Sequence, residues 1–159
     1  RHERRFAEIR RAHIRRLLNA VTCNTYRYNI ADLKLPEGSA DRPILIGECH
    51  FAPQDEGTFG IAIIPSGTSE KQAEYMREFL KSAARNPGVA GVAWFEWTDL
   101  SATGRYNRAD SGIGIIDMAD TRRCELVETF RNFSSGMYKE RLNSKSGYGK
   151  GATDDRNRN

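Results

Sequence analysis

Ile44-Leu45-Ile46-Gly47-Glu48-Cys49-His50-Phe51, led in by Arg42-Pro43, is the stretch whose reading decides the fold. A short apolar run of this kind suits a parallel strand buried on both faces. It ends on a carboxylate, and a charge placed directly after a buried strand needs a reason, because burying it unpaired is costly. The C-terminal ends of parallel strands are where α/β barrels keep their chemistry, so Glu48 is the first candidate catalytic residue. Val89-Ala90-Gly91-Val92-Ala93-Trp94-Phe95-Glu96-Trp97 repeats the plan, with an apolar start and then aromatic and acidic side chains suited to stacking on a sugar and hydrogen-bonding it.

Outward from these two stretches the chain alternates. Residues 3–18 set Phe6, Ile9, Ile14, Leu17 and Leu18 among arginines, a partly helical period with a charged face. Val21 to Tyr26 reads as a strand, with Asn24 and Tyr26 near its C-terminal end. Residues 52–68 hold glycines and prolines around a brief Ile61-Ala62-Ile63-Ile64 run and suit a long active-site loop. Ser69 with Gln72 resembles a capping box opening a helix whose apolar face is Ala73, Met76, Phe79, Leu80 and Ala83, stopped by Asn86-Pro87-Gly88. After Trp97 come a polar loop to Asp110, a strand-like Ile113–Ile116 piece, and a helix capped at Asp120-Thr121 that runs to about Leu142. Residues 143–159 have almost no large apolar side chains to offset the entropy of ordering, and read as a disordered polar tail behind a domain over 1–142.

Composition agrees with one globular core: 159 residues, 38% hydrophobic and 29% charged. The net charge of +4 gathers at the ends, with Arg1, Arg4, Arg5, Arg10, Arg11, Arg15 and Arg16 at the start, which argues against a single basic binding face. Glu3 and Glu8 interrupt that run and no nucleic-acid motif accompanies it, so a solvated helix face explains it better than phosphate binding. No apolar run is long enough to cross a bilayer. Cys23, Cys49 and Cys124 lie far apart without metal-ligand spacing and read as buried free thiols; no metal or cofactor is signalled.

Strand–helix alternation implies a parallel α/β sheet, yet three main strands and three helices fall short of the eight pairs and roughly 250 residues of a closed (β/α)8 TIM barrel. At this point Arg42 to Phe51, Asn86-Pro87 with Gly91 to Asp99, Thr103-Gly104-Arg105, and Ile113-Gly114 with Asp117 to Thr121 resemble the C-terminal part of beta-agarases of glycoside hydrolase family fifty. The similarity runs from about Val21 to Arg141. It implies a clan A barrel related in plan to beta-galactosidases, of which this sequence would hold roughly the last three β/α units. It also implies a retaining glycoside hydrolase acting on a galactose-containing polysaccharide, with Glu48 as nucleophile at the end of the seventh strand.

Retaining hydrolysis needs a second carboxyl about 5 Å away as acid and base. The resemblance places it in an Asn-Glu pair, a dipeptide absent from this sequence, so the acid/base and the earlier strands are expected elsewhere and this segment alone is expected to be inactive. Cys49, Glu96 and Ser111-Gly112 depart from the family's usual residues, which bears on subsites and agar preference. Family members are often exported, so a secreted or periplasmic setting follows from the resemblance alone, and the oligomeric state is left open.

The expected substrate-binding residues are His50, Trp94, Glu96, Asp99, Asn24, Tyr26 and Arg105. His50 reads equally as a partner for the nucleophile or a sugar hydroxyl and as a structural donor. Strand alternation would put Trp94 and Glu96 on the inner face, Trp94 as the sugar platform and Trp97 as packing. Asp99 and Arg105 line a cleft or form a loop ion pair. The competing reading is a non-catalytic carbohydrate-binding or degenerate α/β module.

Overall fold

The computed structural model of the chain describes residues 19–55, 57–58, 60, 62–105 and 109–148. The arginine-rich stretch over 3–18 and the end of the expected tail, 149–159, lie outside the described residues. In chain order the elements are β1 (Val21–Asn24), β2 (Ile44–Glu48), β3 (Ala52–Pro53), β4 (Pro65–Gly67), α1 (Ser69–Arg85), β5 (Val89–Val92) and α2 (Cys124–Tyr148). The main sheet is three-stranded and parallel in the order β1-β2-β5, and β3 and β4 pair as a second, small parallel sheet. The fold is mixed α/β, as the alternation implies.

β2 is the central strand, but its two faces differ. Ile44 and Ile46 are buried at 3% and 1% exposure while Leu45 is 38% exposed, so the strand is not covered on both sides as its apolar run suggests. Ile44, Ile46 and Val89 share a core with Met76, Phe79 and Leu80 of α1 and with Leu126 of α2, so both helices cover one face. Thr22, Leu45 and Ala90 are exposed instead. Full burial of an Ile or Phe side chain contributes about 1.5–3 kcal/mol, so each side chain of this one-sided core stabilises the sheet by that order.

Between β1 and β2 no helix forms. Ile30, fully buried, fills the space instead, its N–H bonded to Ser82 Oγ at 3.0 Å. From α1 the expected face of Ala73, Met76, Phe79, Leu80 and Ala83 is buried in full. The helix begins one residue earlier in its capping than Ser69 implies: Thr68, extended at φ −123°, is the N-cap, and its side chain accepts from Lys71 N at 3.3 Å. Gln72 takes no part in a capping box. It is buried, and its Nε2 donates to Phe51 O at 2.7 Å and Gly112 O at 3.2 Å, tying two loops to the helix.

Other expectations are corrected by local hydrogen bonding. β1 ends at Asn24, leaving Tyr26 beyond the strand, and β5 ends at Val92, so period-2 alternation does not reach Trp94 to Trp97. The 52–68 loop contains the short strands β3 and β4, with Ala52 N bonded to Ile64 O. Residues 113–116 form no strand, only isolated bridges at Ile116. Asp117 Oδ1 accepts from Ala119 N and Thr121 N, each at 2.8 Å, and Asp120 sits at φ +60°. That side-chain-closed turn competes with helix, so α2 starts at Cys124 rather than at Asp120. α2 continues through Tyr148, past the expected end at Leu142. Arg141 anchors it by donating to the carbonyls of Asn86 at 2.6 Å, Pro87 at 2.9 Å and Val89 at 3.0 Å, where α1 ends and its unpaired carbonyls favour a cation. Of the thiols, only Cys49 is buried; Cys23 is half-buried, Cys124 exposed, and all three are free.

Asn86 closes α1 and holds the β1–β2 connection. Its Nδ2 donates to Ile30 O and Leu33 O, both at 2.8 Å, and its Oδ1 accepts from Gly88 N at 2.9 Å. Asn86→Ala orphans buried backbone groups and is expected to destabilise the chain by about 2–4 kcal/mol in urea unfolding. A loss under about 1 kcal/mol would show that the connection is held by its apolar contacts.

Candidate active site at the strand ends

Backbone pairing on both edges of β2 brings the site together. Thr25 N donates to Glu48 O from one side, and on the other Ala93 N donates to Ile46 O and Phe95 N to Cys49 O, at 2.8–2.9 Å. Residues past the ends of β1 and β5 are thereby fixed around Glu48 to Phe51. Gly47 allows the close approach: a Cβ there would stand 2.9 Å from Thr22 Cγ2 and 3.1 Å from Asn24 Oδ1.

Glu48, half-buried, accepts a 2.7 Å hydrogen bond at Oε2 from the Tyr26 hydroxyl. Burial, and next the bond to Glu48, raise the Tyr26 pKa, which keeps the phenol a protonated donor. The Tyr26 ring lies 4.9 Å from the His50 ring, and the Phe95 ring lies 6.2 Å from it. His50 is 5% exposed, and burial holds its imidazole down to about 4 against the opposing pull of the Glu48 charge. Both ring nitrogens are buried without a hydrogen-bond partner among the described residues, so His50 neither bonds Glu48 nor acts as a structural donor there. Burial likewise pushes the Cys49 thiol up to about 12, and its Sγ lies 3.5 Å from Ala93 O.

The remaining expected residues separate. Asn24 is exposed and pairs in register with Glu48. Trp94 turns toward the helices: its Nε1 donates to Ile113 O at 2.8 Å, and its ring packs edge-on to Phe130 and tilted against Phe51. Trp97, expected to pack, is 66% exposed. Glu96 and Arg105 form an ion pair, with the guanidinium 5.7 Å from the Phe95 ring centroid. Asp99 is buried. Its Oδ2 pairs with Arg123 at 2.7 Å and its Oδ1 accepts from Gly114 N at 2.7 Å, so the loop ion pair forms with a partner other than Arg105. Sequence reading passed over Phe95 and Arg123. Phe95 hides between two tryptophans, and only the end of β5 at Val92 shows that it, not Trp94, reaches the His50 side. Among the described residues no group of three or more His, Cys, Asp or Glu side chains is placed to hold a metal ion, and no helix is long and apolar enough to cross a membrane.

Fold and site together define a parallel α/β segment with a tyrosine-bonded carboxylate at the C-terminal end of its central strand. No protein-family model matches the sequence. The chain is 31% identical over 99 residues to beta-agarase B of Vibrio sp. (strain JT0107), covering 62% of this chain and 10% of that protein. It is 26% identical over 129 residues to beta-agarase A of the same organism, covering 77% of this chain and 13% of that one. Among solved structures, an exo-beta-agarase superposes with a TM-score of 0.68 at 27% identity, over 78% of this chain and 17% of that one. PfGH50B superposes with a TM-score of 0.71 at 26% identity, over 78% and 18%. A GH2 beta-galacturonidase from Eisenbergiella tayi shares the fold at 17% identity and a TM-score of 0.51, over 74% and 24%. The chain is thus similar in sequence and in fold to a segment of beta-agarases, and it spans a small part of the length of the relatives it matches.

A histidine neutral in the fold but protonated when unfolded links stability to pH. With a folded pKa of about 4 against 6.5 unfolded, the unfolded chain binds the extra proton between those values, so stability falls as pH drops from 6.5 toward 4. The loss attributable to His50 amounts to roughly 3 kcal/mol. Urea unfolding of the parent and of His50→Phe across that range is expected to diverge by this much; parallel curves would mean that His50 is not held neutral.

Proposed function

We propose that this segment supplies the nucleophile of a retaining glycoside hydrolase acting on a galactose-containing polysaccharide, and that the nucleophile is Glu48. The observation that carries the reading is the 2.7 Å bond from Tyr26 to Glu48 Oε2 at the C-terminal end of the central parallel strand. A donor on one carboxylate oxygen orients the group while leaving the other to attack an anomeric carbon. Likeness to beta-agarases supports the substrate class. The acid/base belongs, by family resemblance, to an Asn-Glu pair, which this sequence does not contain.

The same reading makes the sheet part of a (β/α)8 barrel. Both helices cover one face, as right-handed crossovers winding one way produce, and the exposed Thr22, Leu45 and Ala90 suit a barrel interior closed by further strands. Among the described residues β1 and β5 each pair on one edge alone, and beside β5 lies an apolar groove of about 350 Å³ lined by Val92, Phe133, Met137 and Tyr138, room for one or two side chains of a neighbouring β/α unit.

An activated fluoro-galactoside with a dinitrophenolate leaving group tests Glu48 without needing an acid, because that anion departs unprotonated. The Glu48 carboxylate displaces it at the anomeric carbon, forming one ester and releasing one dinitrophenolate. Peptide mass mapping is expected to find the sugar on Glu48, with Glu48→Gln unlabelled and Tyr26→Phe labelled about 10–100-fold more slowly. Labelling at another residue, or equal labelling of Glu48→Gln, would sink the assignment.

A further inference from the structure

We propose that His50 is a substrate-contacting residue whose imidazole is kept for a hydrogen bond to a sugar hydroxyl entering between Tyr26 and Phe95, an inference that rests on the glycosidase reading. His50 is 5% exposed, and neither ring nitrogen has a hydrogen-bond partner among the described residues. Buried polar groups in folded proteins are ordinarily satisfied, and here the equally buried Gln72, Ser82 and Asn86 all are. A phenylalanine would fill the same space beside two aromatic rings without stranding two polar atoms. An imidazole at this position therefore costs stability, and groups retained at such a cost cluster where function requires them.

Its place in the fold names the function. The ring touches the same Tyr26 that donates to Glu48, two residues from the proposed nucleophile, and faces Phe95 across the strand ends. A neutral imidazole offers one donor and one acceptor, matching a hydroxyl, which can do both. Burial keeps the ring uncharged at neutral pH, so it suits a neutral sugar rather than an anionic one. Phe95 lies beyond the regular part of β5, which ends at Val92, so no ladder hydrogen bonding of that strand holds the side of the ring it flanks.

The full chain, ¹⁵N-labelled, is titrated with an agarose-derived tetrasaccharide at neutral pH, following the His50 ring nitrogens, which are assigned by their loss in His50→Phe. Melting temperature and calorimetric affinity are measured for both proteins. The expected result is a shift of the imidazole nitrogens on sugar addition, a melting temperature a few degrees higher for His50→Phe, and an affinity about tenfold weaker. If the parent binds the sugar with the imidazole unmoved and His50→Phe binds equally well, the inference falls while the glycosidase reading stands. A His50→Phe protein that melts lower also overturns it. If the parent neither binds the tetrasaccharide nor is labelled by the fluoro-sugar, the glycosidase reading falls and the inference with it. Should His50→Phe not fold, the His50 nitrogens are assigned as those that persist in His2→Gln and His13→Gln, and the presence or absence of their shift in the parent decides.

Discussion

The structure depends on β2 being hydrogen-bonded along both of its edges. A parallel strand cannot reach its neighbour through a tight turn, so each partner must arrive by a long connection, and here one carries α1 while the other is the helix-free stretch 25–43. Once β1 and β5 are in register with β2, their onward chains are delivered to its C-terminal end. Register shifts between Cys23 and Asn24 and between Ile44 and Leu45 adjust that delivery, and Asn24 comes level with Glu48 rather than Gly47. The placement of Tyr26, His50 and Phe95 about Glu48 is a consequence of this pairing more than of any side-chain contact among them.

A second layer of organisation is polar and buried. Gln72, Asn86 and the Asp99–Arg123 pair each tie irregular backbone to a helix or to its first turn. Arg141 does the same from the far end of α2, closing the carbonyls around the end of α1. Loops that make few ladder bonds still have backbone groups to satisfy, and side-chain amides and guanidinium groups reach where a second strand does not. The strand-end loops therefore stand on fixed supports, which a site built from loop residues requires.

The polar character of the site follows from unequal burial. Tyr26, Cys49 and His50 are each held in their uncharged forms by removal from water, while Glu48 is half-buried and bonded by a phenol. One carboxylate among neutral, mostly aromatic neighbours is an arrangement suited to a neutral sugar, which offers hydroxyls and apolar ring faces rather than charge.

By itself the sequence determined the parallel α/β plan, the apolar face of α1, the strand that ends on Glu48 and the likeness to beta-agarases. These rest on local patterns: period 3.6 from Ala73 to Ala83, an apolar run before a carboxylate, and residue order at two strand ends. Tertiary structure decided that Leu45 faces outward from the helices, that Phe95 rather than Trp94 reaches His50, that Asp99 binds Arg123, and that Thr68 rather than Ser69 caps α1. Each depends on where a strand stops or which distant group is nearest, and neither is encoded in spacing. Trp94 turns away because β5 ends at Val92, and Arg123 meets Asp99 because the turn at Asp117 delays the start of α2 until Cys124.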